Sequence, residues 1–123
     1  SKGSAPVVRA IEEGATEHRA WEKPESIALG VEIPDPGASP WILETVYESN
    51  GEGVAVADSE AIEAALEMAQ KGGIEMCVTA AVAFAGAKRL AERGVFDEDD
   101  EVVVINTGAG CKSAGQLGRA ACD

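Results

Sequence analysis

Val102-Val103-Val104-Ile105-Asn106-Thr107-Gly108-Ala109-Gly110 decides the reading of this 123-residue chain. Four consecutive β-branched residues fit a strand buried on both faces, the form a central strand of a parallel sheet takes. The run ends in a hydroxyl and two glycines, at the carboxyl end where open α/β sheets receive their ligands. Gly108 and Gly110 would admit a flat or anionic group to the backbone, and Thr107 would point a hydroxyl at it. The expectation is a small-molecule site.

Working outward, Gly53-Val54-Ala55-Val56-Ala57-Asp58 and Ile74 to Val78 read as two further strands. Between them Asp58 or Ser59 caps a helix whose stripe is Ile62, Ala65, Leu66 and Ala69, closed by Gly72-Gly73. Thr79 caps a helix of small residues, Ala80 to Ala87, which that composition places inside the molecule. Earlier, Ser4-Ala5-Pro6 starts a helix running to about Glu13, and Gly14 stops it. Residues 15–38 form an irregular connection broken by Pro24, Pro34, Pro36 and Gly37, with a packed loop or short strand at Ser26–Ile33. Ser39-Pro40 begins another helix, with Trp41, Ile42, Val46 and Tyr47 as its buried face and Asn50-Gly51 as its end. Alternating strands and helices imply an α/β fold over residues 1–123, a single domain in which helices cover part of a parallel or mixed sheet. Three strands are few for such a sheet, so the chain is expected to be a fragment of a longer protein.

Composition narrows the function. Hydrophobic residues make up 46% of the chain and aromatics only 4%, which suits helices packed closely on a sheet. A formal net charge of −12 repels phosphate backbones and anionic bilayers, so neither nucleic acid nor a membrane is an expected partner. The same charge points to a halophilic protein from a salt-rich cytoplasm, where screening relieves self-repulsion. Cys77, Cys111 and Cys122 form neither an even set nor a metal-ligand spacing and fit a reduced, cytoplasmic protein. His18, the sole histidine, lies among charged residues and reads as solvent-exposed; no metal site is expected.

Nucleotide motifs fail on inspection. A P-loop requires Gly-Lys-Ser or Gly-Lys-Thr, but Cys111 separates Gly110 from Lys112-Ser113. The dinucleotide fingerprint requires a third glycine where Ser113 stands. The acidic run Asp97-Glu98-Asp99-Asp100-Glu101 lacks the alternation and glycine of a calcium loop and reads as a solvated connection.

Three segments together resemble the carboxyl-terminal half of threonine synthases, pyridoxal-phosphate enzymes of fold type II. Ser4-Ala5-Pro6-Val7-Val8-Arg9-Ala10 resembles a family helix that follows a mid-chain strand. Lys23-Pro24-Glu25-Ser26-Ile27-Ala28, with Pro34 beyond it, resembles a Pro-Glu-Thr-Ile-Ala stretch. Ile105-Asn106-Thr107-Gly108-Ala109-Gly110-Cys111-Lys112 resembles the closing Leu-Thr-Gly-His-Gly-Leu-Lys segment. Threonine dehydratases and cysteate synthases share much of this pattern. A non-catalytic α/β module binding a small ligand or partner is the contrasting class.

The resemblance implies pyridoxal 5'-phosphate as cofactor, and conversion of O-phospho-L-homoserine and water to L-threonine and phosphate. It places Thr107 at the pyridine nitrogen, Gly108 and Gly110 beside the ring, and Thr79 and Ala80 at a helix start facing the cofactor pocket. Ser26, in place of the family threonine, becomes a substrate-side contact. Cys77-Val78 replaces the family's Glu-Pro, and Ala109 its usual His or Asn. None of Lys2, Lys23, Lys71, Lys88 or Lys112 stands in the context of the Schiff-base lysine. That lysine and the phosphate-binding glycine loop belong to the amino-terminal half, the implied partner of this piece. The isolated chain is therefore expected to be inactive, with no catalytic residue of its own; a homo-oligomer is left open.

Overall fold

The structure, a computed structural model, describes residues 1–120 and divides the chain into two compact units, Ser1–Ala55 and Val56–Asp123. Cys122 lies outside the described residues.

In the first unit, helix α1 spans Pro6–Glu13 and helix α2 spans Ser39–Glu48. Pro6 opens α1, where a missing N–H costs nothing, and Gly14 closes it in the left-handed conformation at φ +65°. Ala5 occupies the cap position without a side-chain bond, and Ser4 is buried rather than capping. The face that α2 buries differs from the one its sequence suggests. Leu43 and Ser39 are buried, whereas Trp41 is 71% exposed. Tyr47 nevertheless ties the two helices together, because its hydroxyl donates to the Ala15 carbonyl at 2.6 Å, just past the end of α1. His18 is not a solvated residue either. Its ring joins Asp35 (2.8 Å) to the Ser39 hydroxyl, which pins the irregular connection to the start of α2. Within that connection only Leu29–Val31 is regular, as a short 3-10 turn.

The second unit is built on helices α3 (Asp58–Gly72) and α4 (Val78–Glu92), which pack along each other. Alanines make that approach close: Ala64 and Ala65 of α3 and Ala80, Ala81 and Ala85 of α4 are buried with Val56, Met76 and Cys77. Alanine both favours the helix and lets the backbones come near. The buried stripe of α3 runs through Ala61, Ala64 and Ala65, one step round from the stripe read in sequence, so Ala69 faces outward. The start of α3 is secured by Glu60, whose carboxylate accepts the Ala57 N–H at 2.6 Å; this is the returning half of a capping box. Gly73, at φ +64°, ends it. A 3-10 turn, Gly110–Ser113, leads into helix α5 (Ala114–Ala120), which touches α3.

The expected α/β fold is not what forms. Among the described residues there are five α-helices and no β-strand. All three segments read as strands lack a ladder. The Val102–Ile105 run is far from buried on two faces, with Val103 84% and Ile105 71% exposed. The physical reason lies in what the pattern encodes. A β-branched run records a side-chain preference, but a strand exists only when a neighbour supplies the hydrogen bonds. The second and third segments meet through the backbone bond from Cys77 N–H to the Gly108 carbonyl, 2.8 Å, which lies beyond the apolar run.

Candidate functional site

The Thr107–Gly110 turn lies against residues 75–78, where α4 begins. Three hydrogen bonds make the seam. Cys77 N–H donates to the Gly108 carbonyl, Val78 N–H donates to the buried Ser113 hydroxyl at 3.1 Å, and the Asn106 carboxamide donates to the Glu75 carbonyl at 3.2 Å. Asn106 Oδ1 also accepts the Gly108 N–H at 3.3 Å, so its side chain folds over Thr107. Val78 is the first residue of α4, and Ser113 thereby satisfies one of the donors that a helix start leaves open.

The seam leaves little room for a side chain at either glycine, least at Gly108. A Cβ on Gly108 would stand 2.7 Å from Cys77 Sγ, and one on Gly110 would stand 3.2 Å from Glu75 Cβ. Their bare side thus faces the chain's own residues 75–77. Thr107 is exposed at the rim of the turn, and no described residue hydrogen-bonds its hydroxyl.

The other expected residues divide. Thr79 is half-buried at the second position of α4, while Ala80 beside it lies in the alanine core. Ser26 belongs to the first unit, where it is buried and its hydroxyl accepts the Ala28 N–H at 3.1 Å, forming a local turn. Glu32 reaches back to the Ser26 N–H. An apolar groove of about 390 Å³ opens between α3, α5 and the 3-10 turn, lined among others by Ala65, Leu66, Met76, Cys111 and Leu117. Of the expected site residues it includes Gly110 alone. Sequence reasoning passed over Asn106 and Ser113. Side chains that grip a turn leave no periodic or spacing signal, though an asparagine preceding the hydroxyl-bearing turn residue is a hydrogen-bonding type in a conspicuous place.

A pyridine nitrogen needs one hydrogen-bonding group, flat space and a fixed approach. An un-ionised hydroxyl on a tethered, exposed turn is of the type that meets the first and last needs. Residues 1–108 match the family model described as "Pyridoxal-phosphate dependent enzyme", and the chain belongs to that family. Among named relatives it is similar to threonine synthase of Methanocaldococcus jannaschii, 37% identical over 110 residues, covering 89% of this chain and 27% of that protein. Threonine synthase of Methanosarcina acetivorans is 34% identical over 108 residues, covering 88% and 27%. That of Halalkalibacterium halodurans is 30% identical over 112 residues, covering 91% and 29%. The chain therefore spans less than a third of the length of these relatives. No described helix is long and apolar enough to cross a membrane.

Proposed function

We propose that this chain is the carboxyl-terminal part of a threonine synthase, and that Thr107 meets the pyridine nitrogen of pyridoxal phosphate. The observation that carries the reading is 37% identity over 110 residues to a threonine synthase, running through the Thr107 turn. Bound pyridoxal phosphate supplies an electron sink for the carbon skeleton of an amino acid. A threonine hydroxyl, unlike a carboxylate, does not keep a proton on the ring nitrogen, so Thr107 sets a milder sink. Thr79, half-buried at the start of α4, faces the cofactor pocket, with Ala80 packed in the core directly behind it, and Gly108 and Gly110 let the turn lie close to α4. The missing amino-terminal half provides the Schiff-base lysine, so the chain alone is inactive. In the overall reaction the γ-carbon–oxygen bond of O-phosphohomoserine breaks, phosphate leaves, and water supplies the hydroxyl of threonine. The enzyme works in the cytoplasm of a salt-rich cell, a setting supported by its net charge of −12 and by cysteines that form no even set.

The test is an assay of the full-length protein, loaded with pyridoxal phosphate, for phosphate and threonine made from O-phosphohomoserine. Equal yields of the two products are expected. Ammonia and 2-oxobutyrate released from threonine instead would mark a dehydratase and overturn the substrate assignment.

A further inference from the structure

Thr107 is flanked on both sides by tethered residues, although no ladder holds its segment among the described residues. The tether on one side is a side chain. Asn106 Nδ2 donates across the seam to the Glu75 carbonyl at 3.2 Å, while its Oδ1 takes the N–H of Gly108 at 3.3 Å. The carboxamide therefore grips residue 75 on one strand of chain and residue 108 on the other, with Thr107 in the loop between them. Gly108 is fixed again by its own carbonyl, which accepts from Cys77 at 2.8 Å.

We propose that Asn106 is the positioning residue for Thr107: its carboxamide, bonded to Glu75 and Gly108, sets where the Thr107 hydroxyl stands relative to the start of α4. This rests on the pyridoxal-phosphate reading of the turn. Asn106 touches neither cofactor nor substrate in this role; it acts through the backbone on each side of Thr107. Both functions of the carboxamide are needed. An aspartate would keep the acceptor for Gly108 but lose the donor, and its carboxylate would face the Glu75 carbonyl oxygen. An alanine would lose both bonds. Glutamine keeps the chemistry on a longer arm.

The experiment uses the full-length protein carrying Asn106→Ala, Asn106→Asp or Asn106→Gln, each titrated with pyridoxal phosphate and read by visible absorption. Because Asn106 is exposed, the melting temperature of each cofactor-free variant should stay within about 2 °C of the parent. Asn106→Ala and Asn106→Asp should bind pyridoxal phosphate roughly three- to tenfold more weakly, the loss expected for one or two hydrogen bonds. Their absorption maxima should move, and Asn106→Gln should recover part of both. Parent-like affinity and spectrum in Asn106→Ala, with the parent binding normally, would overturn the positioning role alone. A parent protein that binds no pyridoxal phosphate would overturn both this role and the reading beneath it.

Discussion

A methyl group on Gly108 would stand 2.7 Å from the Cys77 sulfur and 3.5 Å from the Lys112 amine. Gly108 is not in the left-handed conformation, so the obstacle to a side chain is steric and comes chiefly from one atom. Gly108→Ala should therefore destabilise the protein by about 1–3 kcal/mol, the usual cost of overpacking. In a Cys77→Ala background the same change should cost markedly less; equal costs in urea titrations of both pairs would remove the Cys77 explanation. Thr107 differs, since it is exposed and its hydroxyl has no partner among the described residues. Thr107→Val should lower kcat/KM of the full-length enzyme by roughly ten- to a hundredfold while leaving the melting temperature of the cofactor-free protein unchanged. Cys111→Ala, at the apolar groove, should stay within about twofold of the parent. Equal losses in the two variants would take the role from Thr107.

Between elements, charge reinforces what the alanines begin. Lys88 of α4 and Lys71 of α3 both bond Glu67, and Arg89 bonds Glu60, the residue that also secures the start of α3. Lys88 first and Lys71 second hold the Glu67 carboxyl below its ordinary range, while Glu67 raises Lys88. A depressed carboxylate contributes above its unfolded pKa and loses that contribution as pH falls through the folded value. A raised amine contributes below its unfolded pKa and loses it as pH rises through the folded value. The melting-temperature difference between parent and Glu67→Gln should thus be widest at neutral pH and close at both the acid and the alkaline ends. Being exposed, the pair should also weaken as salt is added. A difference independent of pH would show that packing, not charge, accounts for the effect of Glu67. Helices were the legible elements for a related reason. Pro6 and Gly14 bound α1, and Gly73 bounds α3, by backbone rules that act locally. The Val102 run fails as a strand because pairing is a non-local condition that its own residues cannot impose. On α2 the buried face differs from the expected one for lack of the same outside information: Trp41 and Leu43 are both apolar, and only packing against the rest of the unit decides that Leu43 is covered and Trp41 exposed. At the candidate site Thr107 and the glycines announced themselves by type. The grip of Asn106 and Ser113 on residues 75–78 needed coordinates, because it joins positions about 30 residues apart.

For the whole molecule the governing quantity is a net charge of −12 on 123 residues. Self-repulsion of that size acts against compactness and is relieved when the screening length shrinks to about 3 Å at molar salt. The described ion pairs respond the other way, but exposed pairs contribute little each. The melting temperature should therefore rise by at least about 5 °C between low and molar potassium chloride, near 1 kcal/mol for a chain of this size. A flat or falling curve would contradict the salt-rich setting. Whether the Thr107 turn meets the ring of pyridoxal phosphate is tested most directly by the visible absorption spectrum of the full-length protein. Purified with the cofactor, the parent should show a visible band that Thr107→Val shifts or weakens. A colourless parent protein, or a band identical in Thr107→Val, would contradict that contact.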